Sequence, residues 1–129
     1  MKNIDELNKI SKDILDACIQ VHKEFGPGLL ESVYTFCLNY ELKERGYDVK
    51  TEVSIPLIYK GVKLEKDFRI DLLIENEIIL EIKSVEVLLP VHEAQIISYL
   101  KLTNKKLGFL INFNVPLLKQ GFKRFVNNF

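Results

Sequence analysis

Only two cysteines are present, Cys18 and Cys37, too few for a disulfide framework. Both sit among apolar neighbours in helical patterns, where small reduced core residues are expected. No apolar run approaches the roughly 20 residues of a bilayer-spanning helix, so no membrane segment is expected. The opening MKNIDELNKI carries charge throughout and has no apolar signal core, so no secretion signal is read and a cytoplasmic location is expected. Net charge is missing too. The 18 basic and 18 acidic residues cancel, and composition alone does not announce a polyanion binder. Internal repeats, low-complexity stretches and linkers are absent. So is a Gly-rich phosphate loop, so an ATP-driven activity would need a partner.

What the 129 residues do have is material for a core. Apolar residues make up 47% and charged residues 28%, the balance of one globular domain over residues 1–129. The charges are unevenly placed. Every acidic residue lies at or before Glu93, and after it come Lys101, Lys105, Lys106, Lys119, Lys123 and Arg124. Two readings follow: a solvated basic edge, or a rim that faces a polyanion.

Residues 4–25 place Ile4, Leu7, Ile14, Cys18, Val21 and Phe25 on one face of a helix, stopped by Gly26-Pro27-Gly28. A second helix is expected from 29 to 45, ending at Gly46. The period then drops to two. Strands are expected over 47–59, 62–74 and 78–84, with a turn at Lys60-Gly61. Pro90 suits the first position of a third helix that runs to about Thr103. Leu107–Phe113 reads as a buried strand, and residues 116–129 fit either a strand or a short helix. The order ααβββαβ implies an α/β or α+β fold.

The hairpin IDLLIENEIILEIKS, residues 70–84, carries charge where a buried strand should have none. Alternation places Glu81 and Lys83 on the face of Ile79, opposite Ile78, Leu80 and Ile82. It likewise places Asp71 with Leu73, opposite Ile70, Leu72 and Ile74. A three-residue loop, Glu75-Asn76-Glu77, would pair Asp71 with Glu81, whereas a two-residue loop would mix charged and apolar sets. Asn76 tolerates the left-handed backbone of such loops.

Two carboxylates about 5 Å apart repel, and burial aggravates this. A shared proton, an ion pair with Lys83 or a divalent cation would relieve it. Oxygen donors of this kind suit Mg²⁺ or Mn²⁺. A plain structural ion pair of Lys83 with Asp71 or Glu81 is the competing reading.

Asp71, nine intervening residues and then Glu81-Ile82-Lys83 resemble the D…(D/E)xK core of the PD-(D/E)XK nuclease superfamily. Gly28-Leu29-Leu30-Glu31-Ser32-Val33-Tyr34 resembles the motif of the GxxExxY group within it. Gln95-Ile96-Ile97-Ser98-Tyr99 resembles the QxxxY motif of RecB-like nucleases. The resemblance covers residues 10 to 127. It implies a restriction-endonuclease-like core, a mixed central sheet flanked by helices, with a metal held by Asp71, Glu81, the Ile82 carbonyl and Glu31. Lys83 would then act at the phosphate. Gln95 would touch DNA or a site water, and Tyr99 would bond a phosphate or pack beneath the site. His92, on the same helix face, reads as structural. Iron–sulfur clusters of some relatives need four cysteines, so none is expected here. The proline that names the superfamily core is replaced by Ile70.

Glu31 and Tyr34 also stand on one side of the second helix, which Leu38 continues, so Glu31 is expected at the border of the buried stripe. The leading reading is a Mg²⁺- or Mn²⁺-dependent nuclease that hydrolyses phosphodiester bonds, with DNA favoured over RNA. The rival is a non-catalytic nuclease-fold module that binds nucleic acid or a protein. The presence of every acid the chemistry requires favours the enzyme. A symmetric homodimer would double the basic rim.

Overall fold

Residues 1–129 are described by a computed structural model of the chain. Asn3 caps the first helix, α1 (Ile4–Phe25), by accepting the Glu6 N–H at 2.8 Å. Its apolar stripe buries Leu7, Ile10, Ile14, Ala17, Cys18 and Val21. Helix α2 (Glu31–Glu44) buries Tyr34, Leu38 and Leu42. The long hairpin strands β1 (Val49–Tyr59) and β2 (Val62–Ile74) follow, then β3 (Ile78–Lys83), α3 (Pro90–Thr103) and β4 (Leu107–Asn112). The C-terminal segment that fitted either pattern forms a 3₁₀ turn, Leu118–Gly121, and then β5 (Phe122–Val126).

The five strands form one sheet in sequence order. Neighbours are antiparallel except β3 and β4, which run parallel and are joined by the α3 crossover. The central β3 and β4 are apolar nearly throughout, as strands covered on both faces must be. One sheet face packs on α1 and α2 through the larger core, which includes Ile14, Tyr34, Leu38, Leu72, Leu80 and Phe109. The other packs on α3 through a cluster of only eight buried residues: Ile55, Ile70, Leu73, Ile79, Ile96, Tyr99, Leu100 and Leu110. Glu81 shares the face of Ile79, so it lies on this thinner side. The mixed sheet flanked by helices is the α+β architecture expected. Neither cysteine is bridged, and Cys37 is only half-buried. No helix is long and apolar enough to cross a membrane.

The last two of the C-terminal cations, Lys123 and Arg124, do not share one face of the sheet. Successive residues of β5 face opposite sides of the sheet. Lys123 turns towards α3 and pairs with Glu93 at 3.3 Å. Arg124 turns towards α1, donates to Asn8 at 3.2 Å and lies 4.8 Å from the centre of the Phe129 ring.

Candidate active site

The β2–β3 turn has Glu75 and Asn76 at φ 53° and 58°, and the Glu77 N–H donates to the Ile74 carbonyl at 3.0 Å. Ile74 pairs with Ile78, Leu73 with Ile79 and Leu72 with Leu80, the register of a three-residue loop. One step further the backbone ladder stops and side chains replace it. The Asp71 N–H donates to Glu81 Oε2 at 2.8 Å, and the Ile82 N–H donates to Asp71 Oδ2 at 2.8 Å. Each carboxylate thus reaches across to the other's strand.

Alternation fails at this point. Ile70 was expected beside Leu72 and Ile74, yet it packs with Leu73 and Ile79 on the α3 side. On the neighbouring strand, Thr51 pairs with Leu72 and Val53 with Ile70, and Glu52 between them holds φ 52°. A glutamate in the left-handed region is uncommon. The two strands turn over together at Glu52 and Asp71, which exchanges the buried face beyond them.

Glu81 is 3% exposed. Burial pushes its carboxyl up to about 8, and the neighbouring Asp71 charge adds to this. The Asp71 N–H and the Lys83 ammonium pull the other way, less strongly. Asp71 is also raised, first by burial, against the opposing pull of the Ile82 N–H and Lys83. Lys83 is half-buried at the end of β3, and none of the six ion pairs involves it. The structural ion pair that competed with a metal site is therefore not formed.

Glu31 reaches this region through a tied loop. Gly28 sits at φ 102°, where a side chain would be strained, and turns the chain into α2. The buried Tyr34 hydroxyl donates to the Gly26 carbonyl at 2.5 Å and accepts the Leu29 N–H at 3.1 Å. Ser84 Oγ donates to the Leu29 carbonyl at 2.6 Å, and the Ser84 N–H donates to Glu31 Oε2 at 3.3 Å. Glu31 is exposed, not set at a buried border, and its charge bears on both Asp71 and Glu81. Tyr34→Phe is expected to destabilise the fold by about 1–3 kcal/mol, because the Gly26 and Leu29 groups lose their partner. Urea unfolding of the two proteins checks this; equal midpoints would mean water replaces the hydroxyl.

Helix α3 contributes from the other side. Tyr99 is buried, its ring 5.4 Å from that of Phe68. Its hydroxyl is pushed up to about 12 by burial and by the Glu81 and Asp71 charges, against a hydrogen bond from Gln95. It therefore stays protonated near the carboxylates. Gln95 is half-buried beside it. His92 Nδ1 accepts the Leu89 N–H at 3.0 Å, which caps α3 and accounts for that residue without chemistry.

Glu31, Thr35, Asn39, Glu52 and Asp71 are among the residues that line a cleft of about 500 Å³ between α2 and the β1–β2 strands. Glu52 and Asn39 were not anticipated. Asn39 was within reach: Glu31, Thr35 and Asn39 make a polar stripe at four-residue steps. Its Oδ1 is buried with no partner. Glu52 had no sequence signal, because only the β1–β2 register brings it beside Asp71.

No three acidic, histidine or cysteine side chains cluster at ligand spacing. The second oxygens of Asp71 and Glu81 accept nothing from the protein. Lys83 gives its carbonyl to the Phe113 N–H just past β4, so strand geometry turns the Ile82 carbonyl towards Asp71. Two carboxylates and a carbonyl, all oxygen, fit a small divalent cation that keeps several waters.

The mixed five-stranded sheet thus carries an acid pair and a lysine at the split end of its β2–β3 hairpin. A family model for the PD-(D/E)XK nuclease superfamily matches residues 8–125, and the chain belongs to that superfamily. Its fold is restriction-endonuclease-like. Membership points to nuclease chemistry on nucleic acid, and such nucleases typically use divalent metals such as Mg²⁺. Neither the search of curated proteins nor that of solved structures returned a match.

Proposed function

We propose that the chain is a Mg²⁺- or Mn²⁺-dependent nuclease that hydrolyses phosphodiester bonds, of DNA ahead of RNA, at the Asp71–Glu81–Lys83 end of the hairpin. The observation that carries this reading is the interlocked pair. Two carboxyls are held side by side at a cost in their own ionisation, with an unpaired lysine on the same face. A structural cluster would have closed the Lys83 pair.

Asp71, Glu81 and the Ile82 carbonyl would hold the cation, with Glu31 as the further acid. A divalent cation there would bind a phosphate oxygen and lower the pKa of a nearby water. With Glu81 raised to about 8, the metal-free pair holds a proton near neutrality, and loading the site releases it. Lys83 has no other partner and neutralises charge that develops on the phosphate. Tyr99, protonated, supplies a donor or packs beneath the carboxylates, and Gln95 steadies it or meets DNA. The Gly28–Tyr34 stretch supports membership of the GxxExxY group within the superfamily. The unbridged cysteines fit a reducing cytoplasm. A homodimer would suit the small surface of one domain.

Purified protein incubated with single- and double-stranded DNA and RNA tests this, in Mg²⁺, in Mn²⁺ and in chelator. Cleavage that needs the cation is the expected result. Binding without cleavage in every condition would replace the reading with that of a non-catalytic nuclease-fold module.

A further inference from the structure

The β1–β2 hairpin is much longer than the sheet it belongs to. Strand β3 pairs with β2 only over Leu72–Ile74. Beyond that, Val53–Tyr59 and Val62–Ile70 form a two-stranded arm with no third strand. All residues from Val62 to Arg69 are exposed. Only its root is held: Ile55 and Ile70 are buried against α3, and Phe68 lies against Tyr99. A two-stranded ribbon alone is marginal in water, yet this one presents apolar side chains at its tip. Ile58, Tyr59 and Val62 are 68%, 64% and 63% exposed.

The tip has one sign of charge. From Val53 to Leu64 the only charged residues are Lys60 and Lys63. Lys60 and Gly61, at φ 50° and 80°, make the tight turn, and the Lys60 ammonium lies 5.4 Å from the centre of the Tyr59 ring. The root has the opposite character, because Glu52 and Asp71 stand where the arm leaves the sheet. Seven residues from Val53 to Tyr59 span about 23 Å at strand rise. The tip therefore lies more than half a duplex turn from the acids, a turn being about 34 Å.

We propose that this arm grips duplex nucleic acid beside the candidate active site, with Lys60 and Lys63 on phosphates and Tyr59, Ile58 and Val62 against groove-facing base edges. The proposal rests on the nuclease reading for the identity of the polyanion and names the duplex as its substrate form. A two-stranded ribbon fits a major groove about 12 Å wide. At the tip Lys60 and Lys63 match the phosphate backbone, with Glu65 and Asp67 set further down the arm, and the arm continues directly into the cleft. A second copy of the chain suits the arm less well. Pro56 removes a donor from the β1 edge, and the pairing shifts between Pro56 and Ile58, which blunts strand addition. Two tips meeting symmetrically would also bring four lysines together.

Binding of a short duplex and of the matching single strand, both in chelator, tests the arm without any cleavage. Lys60→Ala/Lys63→Ala should weaken duplex binding about tenfold and reduce the salt slope by about 1.8, roughly 0.9 for each lost phosphate contact. Tyr59→Ser/Val62→Ser should weaken duplex binding severalfold with the slope unchanged. Both variants alter only exposed residues and should keep the parent's melting temperature. Hydrolysis of a small chromogenic phosphodiester with Mn²⁺, which the arm cannot touch, reports separately on the nuclease reading. Parental duplex affinity and slope in both variants would overturn the proposal, as would a parent that binds no duplex. A parental dimer that becomes a monomer in Tyr59→Ser/Val62→Ser would also overturn it.

Discussion

Lys83→Ala is expected to give a folded protein that binds divalent cation as well as the parent or better, but cuts nucleic acid about 10²–10³-fold more slowly. The fold should be little affected, because Lys83 makes no ion pair and is only half-buried. Cation binding should hold or improve. Asp71, Glu81 and the Ile82 carbonyl are untouched, and a positive charge that now lowers both carboxyls has gone. The rate should fall because the other lysine on that sheet face, Lys123, stands two strands away and is paired with Glu93. Lys83→Arg should recover only part of the rate, since a planar fork does not reproduce a compact ammonium. Single-turnover cleavage at saturating Mn²⁺, alongside calorimetric titration of the cation, separates the two effects. Cleavage at the parental rate would remove Lys83 from the chemistry. Equal loss of cation binding and of rate would make it a structural residue.

The register of this hairpin was legible because its charges break an apolar pattern. Only a three-residue loop groups Asp71 with Glu81, and the strands pair that way. What alternation could not reveal was its own interruption. Ile70 crosses to the other face because the backbone turns over at Asp71 and Glu52, and nothing local marks a glutamate for φ 52°. Glu52 reaches the cleft through strand pairing across nineteen positions of sequence, Glu52 to Asp71, which periodicity does not encode. Tyr34 could be placed on the Glu31 side of its helix, but its two bonds to the Gly26–Leu29 loop depend on where that loop folds back. At the C-terminus, Phe122 and Phe125 fit both helical and extended spacing. The neighbouring sheet decides, because Phe122 stacks on Phe109 at 4.7 Å while Phe125 packs on the α3 side. Once the segment is a strand, Lys123 and Arg124 must part.

In chelator, the protein is expected to lose stability steadily between about pH 5 and pH 8, and Asp71→Asn to recover part of that loss at the upper end. The sign follows from the raised carboxyls. Glu81 binds its proton near 4.5 when unfolded and near 8 when folded, chiefly because burial disfavours its charge. Between those values the folded state holds the extra proton, so the unfolding free energy falls by about 1.4 kcal/mol per pH unit, several kcal/mol over the window. The stability is fully present below the unfolded value and is lost as pH rises through the folded one. Asp71, raised for the same reason, adds in the same direction. Alanine at position 71 would confuse the test, because the Ile82 N–H would lose its acceptor at a cost of about 1–3 kcal/mol. Asparagine keeps an oxygen there and removes the charge beside Glu81. Asp71→Asn should therefore melt higher than the parent at pH 8 without metal and show a shallower pH dependence. Millimolar Mn²⁺ should raise the parent's melting temperature at pH 8 far more than at pH 5, where protons compete for the same oxygens, and should leave Asp71→Asn almost unmoved. Melting curves at both pH values, with chelator and with Mn²⁺, decide it. A parent whose stability is flat across the window and indifferent to Mn²⁺ would mean that the interlocked carboxyls ionise freely and hold no metal.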